Sequence, residues 1–308
     1  MPASPQLVCV GHLVRETIHF PDRTVGPLLG SPPAYCSLAA AAQGTATAVV
    51  SRVGPELDAG LLSPLEEAGV DLSGIHRGAA STTSELIYDT DGNKRIEYPT
   101  RAGPLRAADV PAGFRGCPAI YVCTMDNDVP PADIPAVAAL GRIAAVDLGG
   151  YGGVHMSRDR RAQSPSLAAL ALGVAASFAV VKASDEDLVS IFGRDDPDAA
   201  AALLLGRGVP VVVVTAGARG ALVYTAGGRV SVPAARARVV DTTGGGDSFM
   251  AGFLSEYLRS GDPVRAARWG CATAAFVIEA TGGAAFARMP GYQAVRERFV
   301  EGGPTWVT

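Results

Sequence analysis

The stretch Asp241–Phe253, DTTGGGDSFMAGF, sets three consecutive glycines between two aspartates and runs straight into a helical pattern. Phe249, Phe253 and Tyr257 fall on one side of that pattern, with Met250, Leu254 and Leu258 beside them. A glycine run lets the backbone turn its N–H groups towards a ligand. A helix N-terminus adds free donors and a partial positive charge, so Gly244, Gly245 and Gly246 together predict an anion site. Asp247 is a negative charge placed where the anion would sit. It could repel a phosphate, cap the helix, or take a proton from a group that attacks the phosphate. The third role makes this a phosphoryl-transfer site. The helix end favours the ionised carboxylate, which makes a weak base. A weak base suffices when the attacking hydroxyl gives up its proton late.

Other polar clusters follow the ends of apolar runs. Val211–Val214 runs into TAGARG (Thr215–Gly220), a strand end followed by glycines that permit close backbone approach. Lys182–Asp187 reads KASDED, with Ser184 placed to cap a helix and Asp187 at its third position. Lys94 and Lys182 are the chain's two lysines, and neither stands in a GxxxxGK[ST] context, so a nucleotide here is not held by a P-loop. A dinucleotide fold is disfavoured because no GxGxxG follows the first strand.

The elements that must position these groups alternate regularly. Leu7–Gly11 reads as a buried parallel strand, Arg15–Leu29 as an edge strand or exposed loop interrupted by Pro21 and Pro27, and Gly30-Ser31-Pro32-Pro33 as the opening of an alanine-rich helix through Gln43, stopped by Gly44. Thr47–Val53 predicts a strand and Ser63–Gly69 a helix. Thr82–Tyr98 differs in kind: two β-prone runs meet at Asp91-Gly92-Asn93, a hairpin signal, and form an arm suited to a lid, a dimer contact or both. Strands are expected at Ala119–Cys123, Ile143–Leu148, Phe178–Lys182 and Val209–Val214. A hairpin is expected around Gly227-Gly228, and helices to Arg259 and from Asp262-Pro263 to about Glu279. The pattern predicts one α/β domain over residues 1–308 with a mostly parallel central sheet and a small β lid from residues 15–29 and 82–101.

Composition narrows the class. A chain of 308 residues, about half of them apolar, builds a sizeable core. A net charge of −4 and a pI near 5.6 argue against a nucleic-acid partner. The five cysteines (Cys9, Cys36, Cys117, Cys123, Cys271) show no CxxC spacing and read as reduced thiols of a cytoplasmic protein. The N-terminus has no signal-peptide pattern, and no apolar run reaches the roughly 20 residues of a membrane span.

The string DTTGGGD, followed by Phe249 and Gly252, resembles the second signature of the PfkB carbohydrate kinases, the ribokinase-like family, with Gly245 where alanine is usual. The resemblance extends in order along almost the whole chain. It implies a three-layer α/β/α fold and an ATP- and Mg²⁺-dependent kinase acting on a small sugar or polyol. Asp247 would be the base, and Gly244–Gly246 would receive the charge of the transferring group. Thr215, Gly217 and Gly220 would lie along the nucleotide, with Lys182 and Ser184 near its phosphates and Cys271 and Ala275 near adenine. KASDED resembles the family's K-x-N-x-x-E segment; Ser184 stands for asparagine and Asp187 for glutamate, so Asp187 would organise Mg²⁺ through water at shorter reach. Asp241, Thr243 and Gly282, with nearby carbonyls, match a monovalent-cation site, K⁺ being the implied ion. Glu16 occupies the place of a sugar-gripping aspartate. Gly30 opens the first signature, where Ser31 replaces a glycine and Tyr35 an asparagine. Asp126, in the loop Met125–Asp128, would face the acceptor. The aromatic at position 35, KAS in place of K-x-N, and no D-P-N-x-R after Asp147 are similar to the branch that holds the myo-inositol kinases. Rival expectations are a nucleoside kinase of the same fold and a non-catalytic ligand-binding sensor. Relatives often pair through the arm, so a homodimer is expected.

Overall fold

A computed structural model describes residues 4–90, 94–281 and 283–301. In chain order the strands are β1 (Leu7–Val10), β2 (Val14–His19), β3 (Thr24–Gly30), β4 (Thr47–Val53), β5 (Asp71–Arg77), β6 (Thr82–Tyr88), β7 (Lys94–Thr100), β8 (Cys117–Val122), β9 (Gly141–Asp147), β10 (Val180–Ser184), β11 (Val211–Thr215), β12 (Ala221–Thr225) and β13 (Gly228–Val232). The helices are α1 (Pro32–Ala42), α2 (Ala59–Glu67), α3 (Ile134–Ala138), α4 (Arg158–Gln163), α5 (Leu167–Ala175), α6 (Asp185–Phe192), α7 (Pro197–Leu205), α8 (Gly245–Ser260), α9 (Pro263–Val277) and α10 (Tyr292–Glu301).

Among the described residues, nine strands form one sheet in the order β13-β12-β11-β10-β9-β8-β1-β4-β5. It is parallel except at the β11-β12-β13 edge. Successive side chains of a strand point to opposite faces, and the core divides accordingly. Leu7, Cys9, Val211 and Val213 face one apolar cluster, which α1, α2, α8 and α9 cover through Leu38, Leu62, Phe253 and Val277. Val8, Val10, Val212 and Val214 face the other, covered by α3, α5, α6 and α7 through Val137, Val174, Leu188 and Leu204. Burial on both faces explains why these strands read as unbroken apolar runs.

The four remaining strands form a separate sheet in the order β3-β2-β6-β7. Arg15–Leu29 is therefore a paired β2–β3 hairpin, where the sequence left an edge strand or a loop open. β2 pairs in parallel with β6, and β6 with β7 antiparallel, so two hairpins distant in sequence share one small sheet. The hairpin signal Asp91-Gly92-Asn93 lies outside the described residues. Three local expectations shift. The helix expected from Ser63 begins at Ala59, because the Asp58 side chain caps it by accepting from the Leu61 amide at 3.0 Å. β10 runs two residues further than expected, to Ser184. β5 was not anticipated; DLSGIHR is only partly buried at the sheet edge and has no continuous apolar run.

Candidate active site

The cleft opens where the C-terminal ends of β10 and β11 meet the first turn of α8 and the small sheet. It encloses about 350 Å³. Asp247 is the third residue of α8 and lines this cleft. Gly244 is the N-cap, with φ 78°, a conformation open to glycine at little cost. A Cβ there would also fall 2.3 Å from the Tyr35 ring, so ring and turn are in close contact. The amide of Gly245 donates back to the Thr242 carbonyl at 3.1 Å, so the turn itself uses one of the three expected anion donors. Gly252 and Gly270 let α8 and α9 cross closely: a Cβ on Gly252 would lie 2.3 Å from the Thr273 hydroxyl. That crossing fixes the helix whose first turn carries Asp247.

Beneath this turn sits a buried charge cluster that local sequence reasoning did not assemble. Lys182 is 4% exposed, and its Nζ lies 2.9 Å from Asp147 and 3.9 Å from Asp187. Burial opposes the ammonium, yet the charges of Asp147, Asp187 and Asp247 outweigh it and hold its pKa above the ordinary value. The absence of a side chain on Gly246 lets the ammonium approach; a Cβ there would be 3.3 Å from Nζ. Removing one partner of such a pair costs about 3–5 kcal/mol, because a charge is left uncompensated. The signal available in the sequence was a lysine inside an apolar strand, which must find a carboxylate. Naming Asp147 required knowing that β9 and β10 pair with Lys182 opposite it.

On the acceptor side, Glu16, Ser31 and Tyr35 line the cleft together. Glu16 is buried on β2, and its Oε2 accepts from the Ser84 hydroxyl at 3.3 Å. Gly30 makes room for it: a Cβ at Gly30 would meet the Glu16 side chain at 2.9 Å. Ser31 caps α1 with φ 94° and ψ 154°, and its buried hydroxyl has no hydrogen-bond partner among the described residues. Burial, and then the Glu16 charge, push the Tyr35 phenol well above its usual pKa. Leu86, Ile96, Met125 and Val154 give this half an apolar wall that the sequence did not single out. Asp126 is elsewhere. It faces a smaller cavity of about 270 Å³ beside His12, where Arg101 Nε and the Ser157 amide each donate to it at 2.8 Å.

On the opposite side, Ser184, Thr215, Ala216 and Gly217 line the cleft. Ser184 and Asp187 form the expected capping box on α6. Gly220, with φ 85°, sits in the turn into β12 and does not line the cleft. Cys271 and Ala275 are buried on α9 and do not line it either. Cys271 belongs to the apolar cluster, where burial pushes its thiol up to about 12.

The fit for metal ions follows from these partners. Among the described residues no group of three or more His, Cys, Asp or Glu side chains could hold a metal. Asp187 Oδ1 accepts from the Val154 amide at 2.9 Å and Oδ2 from the Ser184 amide at 2.7 Å, so both oxygens are already engaged. Burial raises the Asp187 pKa, but the Lys182 ammonium, His155 and these amides bring it below the ordinary value. Mg²⁺ is commonly held by substrate phosphates, waters and one or two carboxylates, and this cleft fits that pattern better than a protein cage. The monovalent-cation set fits poorly. Asp241 Oδ1 accepts from the Thr243 amide at 2.9 Å, Gly282 lies outside the described residues, and the carbonyls of Val277, Ala280 and Gly283 accept from Arg288.

The cleft places a carboxylate on a glycine-opened helix at the strand ends of a mostly parallel sheet, an arrangement suited to phosphoryl transfer. Residues 6–288 match the pfkB family carbohydrate kinases, and the chain belongs to that family. It is a kinase, and its fold is ribokinase-like. The chain is similar to cytidine kinase of Thermococcus kodakarensis, 26% identical over 259 residues, which span 82% of this chain and 88% of the relative. It is similar to fructokinase of Klebsiella pneumoniae, 29% identical over 245 residues, 76% of this chain and 78% of the relative. Its fold matches a fructokinase from Vibrio cholerae O395, solved with fructose, ADP and calcium, with a TM-score of 0.80 at 24% identity, covering 96% of this chain and 99% of that one. No helix among the described residues is long and apolar enough to cross a membrane.

Proposed function

We propose that this kinase transfers the γ-phosphoryl group of ATP to a hydroxyl of a small sugar, polyol or nucleoside, with Asp247 accepting the hydroxyl's proton. The observation that carries this reading is the position of Asp247. It stands on the first turn of α8, in a cleft lined by Glu16, Ser31 and Tyr35 on one side and by Ser184, Thr215 and Gly217 on the other. Glu16 accepts acceptor hydroxyls, and the Ser31 hydroxyl gives or takes a further hydrogen bond. The first-turn amides of α8, backed by the Lys182 ammonium, hold the charge that spreads over the transferring group. Mg²⁺ carried on the nucleotide's phosphates supplies further charge neutralisation. The small sheet, reaching the cleft through Leu86 and Ile96, excludes water that would otherwise take the phosphoryl group. The apolar wall of Leu86, Ile96, Met125 and Val154 favours an acceptor with a flat apolar part, which brings a nucleoside forward beside simple sugars and inositol-like polyols.

ATP consumption across a panel of sugars, polyols and nucleosides tests the reading. Asp247→Asn is expected to lower turnover by about 10²–10⁴-fold while nucleotide binding persists. Near-wild-type turnover by that variant would remove Asp247 from the chemistry. We also propose a cytoplasmic homodimer that pairs through the small sheet; a monomeric mass by light scattering at assay concentration would refute the pairing.

A further inference from the structure

We infer that the guanidinium of Arg288 occupies the carbonyl cage where a monovalent cation would sit beside the glycine turn, so that this kinase works without K⁺. The inference rests on the kinase reading above.

The chain leaves α9 at Val277 and folds back beneath the first turn of α8. The amides of Val240 and Asp241 donate to the Ile278 carbonyl at 2.8 and 3.2 Å, which ties this return loop to the segment that leads into the glycines. A helix C-terminus leaves carbonyls without partners and carries partial negative charge. Arg288 answers both. Its Nη2 donates to the Val277 carbonyl at 2.9 Å and to the Ala280 carbonyl, and its Nη1 donates to the Gly283 carbonyl. A K⁺ ion is selected by carbonyl oxygens that replace its hydration shell. Here three such oxygens on either side of Gly282 are already turned onto one cation, and that cation is part of the chain. A guanidinium offers five donors and keeps its charge at every working pH.

The placement links Arg288 to the chemistry without contact with the reacting atoms. Tyr35 packs its ring on Gly244, and the guanidinium beside the Tyr35 hydroxyl counters part of the upward push that burial gives the phenol. Arg288 is thus a positioning residue. It fixes the loop after α9, lies beside the tyrosine that abuts the N-cap of α8, and supplies locally the positive charge that an ion would otherwise bring. A second cation in the same cage would meet like charge.

Wild type, Arg288→Met and Arg288→Lys should be compared in tetramethylammonium buffer with added KCl or NaCl at constant ionic strength, reading both turnover and melting temperature. Wild-type turnover is expected to change by less than about twofold with K⁺, and its melting temperature no more with K⁺ than with Na⁺. Arg288→Met should lose about tenfold or more in turnover without K⁺ and recover with it, while its melting temperature becomes K⁺-specific. Arg288→Lys should restore turnover in the absence of K⁺. Saturable, K⁺-specific activation or stabilisation of the wild type would overturn the inference. So would an Arg288→Met protein that folds and matches wild type in both readouts. If Arg288→Met does not fold, the wild-type titration decides alone. If the wild type turns over no acceptor, the kinase reading fails, and the melting comparison still decides the cation question.

Discussion

Ser31 shows how much one residue can carry. Its φ of 94° with ψ of 154° lies in a region that is essentially reserved for glycine, and holding another residue there costs about 1–3 kcal/mol. The hydroxyl obtained for that strain is buried in the cleft wall that Glu16 also lines, without a partner among the described residues. Ser31→Gly is therefore expected to stabilise the protein by about 1–3 kcal/mol and to raise the acceptor KM by roughly tenfold with little change in kcat. Denaturation curves and steady-state kinetics read the two effects separately; a variant that is less stable and has an unchanged KM would count against the role. At this scale the sequence was most informative where a long motif fixed both type and spacing, as at Gly244–Asp247. The replacement of glycine by Ser31 was visible, but the retained backbone conformation was not. Arg288 was silent, because three carbonyl partners leave no side-chain pattern to read.

The elements transmit these demands through few contacts, and His12 joins four of them. Just beyond β1, its amide donates to Asp128 Oδ2 at 3.0 Å, and its Nδ1 lies 3.2 Å from Asp128 Oδ1 and 2.8 Å from the Thr82 hydroxyl at the start of β6. Its Nε2 donates to the Gly103 carbonyl, 3.0 Å away, just past β7. A carboxylate facing one nitrogen and a carbonyl facing the other suit the doubly protonated ring. Burial lowers the His12 pKa and Arg52 opposes the charge, but Asp128 and Gly103 together raise it above 6.5. Burial pushes Asp128 up, and His12 with the amides of His12 and Met125 pulls it down from 3.8 to about 2. The histidine's contribution is thus complete below pH 6.5 and fades as pH rises through its raised value. The aspartate's is complete above 3.8 and fades as pH falls towards about 2. The stability difference between wild type and His12→Gln should be widest at mildly acidic pH and shrink on the alkaline side. Urea titrations across that range test it, and a difference independent of pH would refute it. Most elements were legible from apolar period and caps, Asp262 and Ser184 among them. The roots of the small sheet were not, since partners 91 and 116 residues apart leave no local trace.

At the scale of the whole molecule, both apolar clusters share one sheet, so neither can be lost alone. Phe253→Ala on the α8 face should cost about 3–5 kcal/mol and Leu204→Ala on the α7 face about 2–5 kcal/mol. Both should lower a single transition seen alike by circular dichroism and by tryptophan fluorescence. Two resolved transitions would instead mean two units. Fold class was readable from strand–helix alternation, but strand order was not, because parallel neighbours need not be neighbours in sequence. That order also bears on how the chain is made. β1 leaves the ribosome before both of its neighbours, β4 and β8, and the second of them begins only at Cys117. Until then an apolar strand stands with one edge open, the condition that invites chaperones or aggregation during synthesis. α8, with Asp247, emerges later still, so the nascent chain completes the scaffold of its acceptor pocket before it gains the group that would act there.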